Sequence, residues 1–359
     1  MDCNIAAPHL NSFNNFLEGI PKAVSHVRPR VIQISDDLKC ELQISNPIVG
    51  YPTIPKDGTL IEGLKLLPYE CRCRGITYKS KLSCAFRVLL NGTTVQSSVR
   101  PLMEVPIMVR SRRCYLEKMS PEQLVMLREE EKEFGGYFII NGVEKVVRLL
   151  IATRRNYPIA INRPKWATLG PHYTPYGIYL RCVLDDHTAI ISNIHYLSSR
   201  RMMISVYHRR RKFLLPFALV LKALLEVSDR FIFDELLQGT EEDNSWRSCV
   251  TNMLMDLKTE GISSQTDALK HIGEMLRIDL QAPAFLSHAE IGQQFIDDVI
   301  CVHLDKGEEK FNFLVFCAQK LCALVRGDVL PENLDNPACQ EILLPGTMLL
   351  MLLKVAFSE

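Results

Sequence analysis

The chain has 359 residues, of which 47% are hydrophobic and 23% charged, with a formal net charge of +1 at pH 7. This composition is ordinary for a globular protein, and the length allows two domains and a large core. Because the net charge is close to zero, the chain is not basic as a whole, and any nucleic-acid footprint has to be local.

The twelve cysteines are scattered and include no CxxC pair. With no signal peptide in view, this pattern predicts reduced thiols in a cytosolic or nuclear protein. Structural zinc requires four ligands at paired spacings, so we expect no metal site in this chain. The most apolar run, residues 342–357, contains Pro345 and Lys354 and is too short to span a bilayer, which predicts no membrane association.

The first part of the chain is expected to be rich in strands. Apolar residues recur at helical spacing over residues 8–20, where Pro21 should end or kink the helix. Alternating apolar and polar residues over 39–44 predict a half-exposed antiparallel strand. Residues 46–75 are rich in proline and glycine and are expected to form loops with brief strands.

Two Asn-Gly pairs predict tight hairpins. Asn91-Gly92 joins the runs 85–90 and 93–97, and Asn141-Gly142 lies within the stretch GGYFIINGVEK at 135–145. Since the run 137–140 is apolar on both faces, we expect the second hairpin to be buried on both sides. The charged pair that follows it, Glu144 and Lys145, is interpreted as structural.

Between these hairpins, Ser120-Pro121-Glu122-Gln123 predicts a capped helix start. Several acidic residues follow, at 129–131 and 133. The simplest interpretation of this acidic run is a solvated helix face, and the alternative is a pair of catalytic carboxylates.

The second part of the chain is expected to form a small sheet and then helices. Strands are predicted at 178–183, 188–197, 203–207 and 213–215, and helices at 229–238, 245–258, 265–277, 289–304, 308–326 and 341–357. The last helix is too apolar for a solvated terminus. We therefore expect it either to fold back onto the first domain or to pack against a partner.

No pattern in the sequence identifies catalytic residues. The chain has no HExxH, GxSxG or GxxxxGK[ST] motif, and its nine histidines are dispersed. The clearest local signal is basic, because six of the thirteen residues in 200–212 are arginine or lysine and none is acidic. Such a patch can neutralise phosphates, but a charged hairpin tip or a protein-binding surface explains it equally well.

Several segments, taken in order, resemble the second-largest (beta-like) subunit of multisubunit DNA-dependent RNA polymerases. The stretch GGYFIINGVEK is similar to a signature hairpin of that family, and PHLNSFN at 8–14 and VPIMVRS at 105–111 are similar to its opening helix and a later strand. The continuation RRNYP at 154–158 is most similar to the RNA polymerase I version. The resemblance covers almost the whole chain.

The resemblance implies an α+β fold of two modules. Residues 1–155 would form a strand-rich protrusion-like domain, and residues 156–343 a lobe-like domain with a small antiparallel sheet and several helices. Residues 344–359 would begin the return of the chain to the protrusion. On this view the chain is the N-terminal third of a longer subunit and ends in a truncation.

The family's reaction is nucleotidyl transfer, and the resemblance places no catalytic residue in this chain. The Mg²⁺ and Zn²⁺ sites are expected only in the complete polymerase. The implied role is to line the DNA cleft during ribosomal RNA transcription in the nucleus and nucleolus, with duplex DNA, the largest polymerase subunit and smaller subunits as partners. The candidate DNA- or partner-facing residues are Arg154, Arg155, Arg200, Arg201, Arg209, Arg210, Arg211 and Lys212.

Two alternatives stay open at this point. The chain could be a polymerase-derived module that binds nucleic acid or protein without polymerase activity. It could also be a non-functional truncated product.

Overall fold

A computed structural model describes residues 4–25, 27, 29–35, 38–54, 64–184, 187–208, 211–240, 242–282 and 286–358. The chain divides into two compact units, one formed by residues 1–151 and 342–359 and the other by residues 152–341. The domain limits expected from the sequence, at residues 155 and 343, concern the polymerase modules and stay a prediction.

The helices are α1 (Ala7–Ser25), α2 (Pro68–Arg74), α3 (Pro121–Met126), α4 (Phe217–Leu224), α5 (Asp229–Leu237), α6 (Asn244–Thr259), α7 (Gln265–Leu280), α8 (His288–Val299), α9 (Gly307–Arg326) and α10 (Pro345–Ser358). The strands are β1 (Arg30–Ser35), β2 (Leu38–Val49), β3 (Lys79–Leu90), β4 (Thr93–Pro106), β5 (Phe138–Ile140), β6 (Val143–Lys145), β7 (Leu150–Thr153), β8 (Ile159–Asn162), β9 (Tyr173–Val183), β10 (Ala189–Leu197), β11 (Arg201–His208), β12 (Arg211–Pro216) and β13 (Gln340–Leu343).

The first unit packs α1 against a four-stranded antiparallel sheet with strand order β1-β2-β3-β4. Of the two outcomes predicted for Pro21, an end or a kink of the helix, an end is wrong, because the helix continues to Ser25. A proline removes one backbone hydrogen bond from a helix. Here Ala23 and Val24 are buried after it, so apolar packing holds the last turn.

Both predicted hairpins are confirmed. The central residues of the two turns, Asn91-Gly92 and Asn141-Gly142, have φ values of 48° and 83°, and of 51° and 76°. Two positive φ values define the type I′ turn, which matches the right-handed twist of paired strands. The prediction that the second hairpin is buried on both sides holds only for β5, because every residue of β6 is exposed.

The guanidinium of Arg72 on α2 joins three segments of the first unit. Its Nη1 lies 2.7 Å from Glu129 Oε2, its Nε lies 2.7 Å from Glu144 Oε1, and its Nη2 donates to the Tyr137 hydroxyl at 2.6 Å. Glu129 also accepts the backbone N–H of Tyr69 at 2.8 Å. Glu144 therefore has the structural role that the sequence suggested.

The acidic run after α3 is not a solvated helix face. The capping box of Ser120 and Gln123 is present, but the helix ends at Met126, before the acidic residues. Glu129 is 8% exposed, and burial raises the pKa of its carboxyl group while the Arg72 guanidinium opposes that rise. A carboxylate can stay buried here because a cation and a backbone N–H satisfy it.

The C-terminal helix folds back onto the first unit. The backbone N–H of Gly346 donates to Ser12 Oγ at 2.9 Å, and Leu353 is buried in the core of this unit. A Cβ atom at Gly346 would lie 1.8 Å from the Ser12 carbonyl oxygen, so α10 approaches α1 closely because this residue is glycine. The helix starts at Pro345 rather than at Glu341, which lies in β13.

The second unit contains a five-stranded antiparallel sheet with strand order β12-β11-β10-β9-β8. Helices cover one face of this sheet. All eight residues of α4 are buried, and they belong to the large core that this helix shares with the inner face of the sheet. The four predicted strands and the predicted helices from α5 to α9 are confirmed. Strand β8 was missed, because a proline precedes its four residues and another follows them closely.

Strands β7 and β13 form a separate two-stranded sheet. Together these elements confirm the α+β fold class, with a strand-rich unit and a second unit that combines a small antiparallel sheet with several helices. Among the described residues, no helix is both long enough and apolar enough to cross a membrane.

Replacing Arg72 with methionine should destabilise the first unit strongly. Removing the cation leaves the Glu129 carboxylate buried and unpaired, which costs about 3–5 kcal/mol in the free energy of unfolding. Urea unfolding followed by far-UV circular dichroism measures this loss. The control is Arg112→Met, because the Arg112–Glu18 pair is exposed and its loss should cost less than about 1 kcal/mol. Equal losses in the two variants would contradict a structural role for Arg72.

Candidate nucleic-acid interface

The five-stranded sheet has two ends, and strand register assigns the basic residues to one or the other. At the first, the Arg200 end, Asn162 pairs with Tyr176, Tyr173 with Leu197, and Leu197 with Arg201. At the second, the Arg211 end, Val183 pairs with Ala189 and His208 with Arg211.

The basic stretch at 200–212 is therefore one cluster in sequence but two in space. Arg200 and Arg201 lie at the start of β11, and Arg211 and Lys212 lie beside its other end, where they pair with His208 and Tyr207. The eight residues of β11 separate them by roughly 25 Å, at about 3.3 Å per residue. Arg154 and Arg155 lie at the Arg211 end, because the backbone N–H of Asn156 donates to the carbonyl oxygen of Arg181 at 2.8 Å.

Three of the predicted arginines are held by carboxylates. Arg201 contacts both oxygens of Asp256, at 2.5 and 2.9 Å. Arg211 Nη1 lies 2.6 Å from Asp279 Oδ1, and Arg155 Nε lies 2.8 Å from Glu341 Oε2. A guanidinium that is already paired has less charge to offer a phosphate, so the structure weakens the argument for these three residues as phosphate ligands.

The other predicted residues differ. Arg154, Arg200 and Lys212 are exposed, and within the described part of the chain none of them has a carboxylate within ion-pair distance. The guanidinium of Arg154 lies over the Tyr157 ring, 5.0 Å from its centroid. Arg209 and Arg210 lie outside the described residues. The assignment of all eight residues to DNA or to a partner stays a prediction.

Two exposed cations that were not among the predicted site residues also lie at the Arg200 end. Arg163 directly follows β8, and Lys165 lies in the 3₁₀ helix Pro164–Leu169. The backbone N–H of Arg163 donates to the Pro175 carbonyl oxygen at 2.7 Å. Sequence distance hid the relation between these residues and Arg200, because about 35 residues separate them along the chain. Only the pairing of β8 with β9 and of β9 with β10 brings their strand ends together.

The 3₁₀ helix is anchored on the outer face of the sheet by Trp166. The Trp166 ring lies edge-on to His195, with centroids 4.6 Å apart, and is 7% exposed. A Cβ atom at Gly177 would lie 2.4 Å from this ring and 2.6 Å from the Ile194 carbonyl oxygen. The glycine therefore makes room for the tryptophan, and the tryptophan fixes the position of Lys165.

His195 is buried beneath this anchor. Its Nε2 lies 3.1 Å from Ser205 Oγ, and Tyr173 packs against the other side of the ring. Burial, with a smaller contribution from the positive charge of Lys212, lowers the pKa of His195 from 6.5 to about 4. The imidazole is thus neutral at physiological pH and has a structural role, as expected for a lone histidine.

Two buried lysines of the second unit also have a structural role. Lys222 Nζ lies 2.8 Å from the Val227 carbonyl oxygen and 2.7 Å from Asp229 Oδ1, and Lys310 Nζ donates to the Ile296 and Asp297 carbonyl oxygens at the end of α8. Within the described ranges, no group of three or more histidine, cysteine, aspartate or glutamate residues could hold a metal ion.

The chain is similar to known proteins over nearly its whole length, including both compact units. A family profile described as RNA polymerase beta subunit matches residues 4–359. The DNA-directed RNA polymerase I subunit RPA2 of Homo sapiens is 40% identical over 347 residues, which cover 96% of this chain and 30% of that protein. The RPA2 homolog of Caenorhabditis elegans is 37% identical over 359 residues, which cover 99% of this chain and 32% of that protein.

A third relative, the probable RNA polymerase I subunit RPA2 of Schizosaccharomyces pombe, is 41% identical over 315 residues, which cover 88% of this chain and 26% of that protein. The match lies in the N-terminal region of these relatives. The chain therefore spans about 30% of the length of the curated relatives that it matches.

Replacing Gly177 with alanine should destabilise the second unit by about 1–3 kcal/mol, because neither the Trp166 ring nor the Ile194 carbonyl group can move away freely. Thermal unfolding followed by tryptophan fluorescence tests this. The matched control is Gly170→Ala, where the nearest atom to the new Cβ, on the Tyr173 ring, is 3.3 Å away. A larger loss in the control would contradict the proposed packing.

The buried His195 also predicts a dependence of stability on pH. Its folded-state pKa of about 4 lies below the unfolded value of about 6.5, so between these values the unfolded chain binds a proton that the folded chain does not. The contribution of His195 to the free energy of unfolding is largest above pH 6.5 and falls by about 3 kcal/mol as the pH drops to 4.

Urea unfolding at several pH values, followed by tryptophan fluorescence, measures this effect. His195→Gln should flatten the pH dependence between pH 4 and pH 6.5, the two pKa limits. His172→Gln, at an exposed histidine, should leave it unchanged. The same pH dependence in wild type and His195→Gln would show that His195 titrates normally in the folded state.

Proposed function

The chain belongs to the RNA polymerase beta subunit family, and from this premise we propose that it serves as the N-terminal part of the second-largest subunit of RNA polymerase I. The observation that carries the proposal is the family match over residues 4–359, which includes both compact units. The named relatives are all RNA polymerase I subunits. The setting is ribosomal RNA synthesis in the nucleus, and within it the nucleolus.

The reaction of the assembled enzyme is DNA-directed nucleotidyl transfer, and this chain takes part in it without supplying a catalytic side chain. When bound in the complete polymerase, Mg²⁺ activates the RNA 3′ hydroxyl group and stabilises the leaving pyrophosphate. We propose that no residue of this chain is a ligand of Mg²⁺ or Zn²⁺. Its buried charges are satisfied internally, as Arg72, Lys222 and Lys310 are, so they serve the fold.

The contribution of this chain to the assembly is to line the DNA cleft and to dock other subunits. The largest subunit and smaller subunits are its protein partners, and duplex DNA is its nucleic-acid partner. We assign Arg154 and Lys212, which are exposed at the Arg211 end, to the docking of other subunits. Arg200 supports the DNA-lining role, because it is exposed and has no carboxylate within ion-pair distance in the described residues. Positive side chains of this kind attract the phosphate backbone without reading its sequence.

A second candidate function is a module that binds nucleic acid or protein outside the polymerase. One observation favours it: the exposed cations Arg163, Lys165 and Arg200 have no carboxylate within ion-pair distance in the described residues, and such charges attract phosphate outside a polymerase as well as within one. Assembly with the largest subunit separates the two candidates, because a standalone module needs no such partner.

We expect the tagged chain, expressed in its native cell, to co-purify the largest RNA polymerase I subunit. The largest RNA polymerase II subunit is the control for specificity, and it should be absent from the purified material. Quantitative mass spectrometry measures both. Recovery of neither subunit, or equal recovery of both, would overturn the assignment to RNA polymerase I.

A further inference from the structure

Two turns of the second unit lie side by side at the Arg200 end of the sheet. The backbone N–H of Ser198 donates to the His172 carbonyl oxygen at 2.8 Å, and that of Arg200 donates to the Leu197 carbonyl oxygen at 3.0 Å. Arg200 has a φ of 54°, a left-handed conformation that closes the turn between β10 and β11. The end of β8, which leads into Arg163, lies at the same sheet end.

This end carries three exposed cations, Arg163, Lys165 and Arg200, which we call the Arg200-end patch. In the part of the chain that the structure describes, none of the three has a carboxylate within ion-pair distance. The exposed histidine His172 lies on the turn beside them. Their charges are therefore available to an external anion.

The carboxylates that reach this end are already engaged. Asp256 on α6 is held by both nitrogen contacts of Arg201, and Glu260 lies 3.8 Å from His271. Between residues 152 and 208 the only acidic residues in the sequence are Asp185 and Asp186. Among the described residues, the patch is consequently positive without a free carboxylate to compensate it.

The Arg211 end is different, although the sequence has more basic residues there. Arg155 and Arg181 share the carboxylate of Glu341, with Arg181 Nη1 at 2.5 Å, and Arg211 is paired with Asp279. Arginines that tie strands and helices together cannot turn to a ligand without breaking those contacts. Among the described residues, the Arg200 end has three unpaired cations and the Arg211 end has two, Arg154 and Lys212, so the Arg200 end is the stronger candidate for external phosphate.

The surroundings of the patch favour nucleic acid over protein. Stable protein interfaces have an apolar or aromatic centre. On the 3₁₀ helix, Lys165 lies between Pro164, which is exposed, and Trp166, which is buried as the anchor, and the exposed apolar side chain of Leu169 lies at the far end of the helix. The patch therefore offers fixed charges on a rigid base, which suits the repeating phosphates of a duplex.

We propose that the Arg200-end patch binds the phosphate backbone of duplex DNA through Arg163, Lys165 and Arg200. This proposal rests on the proposed function, because it names the part of the chain that faces DNA in the cleft. The contacts are independent of base sequence, since only phosphates are engaged. Trp166, seated over Gly177, holds the Arg163–Lys165 segment in place, and the Arg201–Asp256 pair holds the Arg200 turn.

The test compares two double variants of the full chain with matched charge loss. Arg163→Gln/Arg200→Gln removes two cations of the patch, and Arg154→Gln/Lys212→Gln removes two unpaired cations at the Arg211 end. Binding to a fluorescently labelled duplex of mixed sequence is measured by anisotropy over a range of salt concentrations. The plot of log Kobs against log salt should lose about 0.9 in slope for each phosphate contact removed.

We expect the patch variant to lower that slope by about 1.8 and the Arg211-end variant to leave it close to wild type. An unchanged slope in the patch variant, equal losses in both variants, or a wild-type chain that shows no salt-dependent binding would each overturn the proposal. Circular dichroism and tryptophan fluorescence check the fold. If the double variant unfolds, Lys165→Gln, at an exposed position, should lower the slope by about 0.9.

Co-purification of each variant with the largest polymerase subunit separates this proposal from the proposed function. Retained assembly with an unchanged salt slope overturns the patch and leaves the polymerase assignment standing. Lost assembly of the patch variant with an unchanged slope also overturns it, because the cations then serve a protein partner. Failure of the wild-type chain to assemble overturns the assignment itself.

Discussion

A single guanidinium, that of Arg72, holds together the segments that make up the first unit around its signature hairpin. Its contacts with Glu129, Glu144 and the Tyr137 hydroxyl group join α2, the loop after α3 and both strands of the hairpin region. Removing one partner of such a buried ion pair lowers the free energy of unfolding, because the remaining charge is desolvated and has no opposite charge to stabilise it. The Glu144 carboxylate, in the stretch that resembles polymerases, therefore has a structural role.

The same physical rule decides what the second unit can offer to a partner. Three arginines, Arg155, Arg201 and Arg211, each form an ion pair with a carboxylate on another element. Their positive charge is therefore compensated within the unit. Arg163 and Arg200 have no such partner among the described residues and face solvent. The distribution of carboxylates, more than the number of arginines, thus determines which surface can attract phosphate.

On the outer face of the sheet, a few side chains hold the 3₁₀ helix Pro164–Leu169 in place without a covering layer of helices. Trp166 lies on His195 in the gap that Gly177 leaves open, and these few side chains fix the 3₁₀ helix in place. The cost is a histidine that must remain neutral, with a pKa of about 4. Because the anchor holds the backbone that carries Lys165, little backbone freedom is lost when this segment binds a ligand.

The sequence by itself determined the secondary structure wherever local chemistry is decisive. Both Asn-Gly turns, the Ser120 capping box and the periodic helices from α5 to α9 follow from neighbouring residues alone, and so did the family resemblance of the stretch at 135–145. Only the tertiary structure decided the burial of Glu129, the return of α10 to α1 and the division of the basic stretch 200–212 between two sheet ends. These outcomes depend on contacts between residues that are far apart in the sequence. Ion pairs and close packing form between whichever residues are near in space, and the distance between two residues along the chain does not reveal whether they meet.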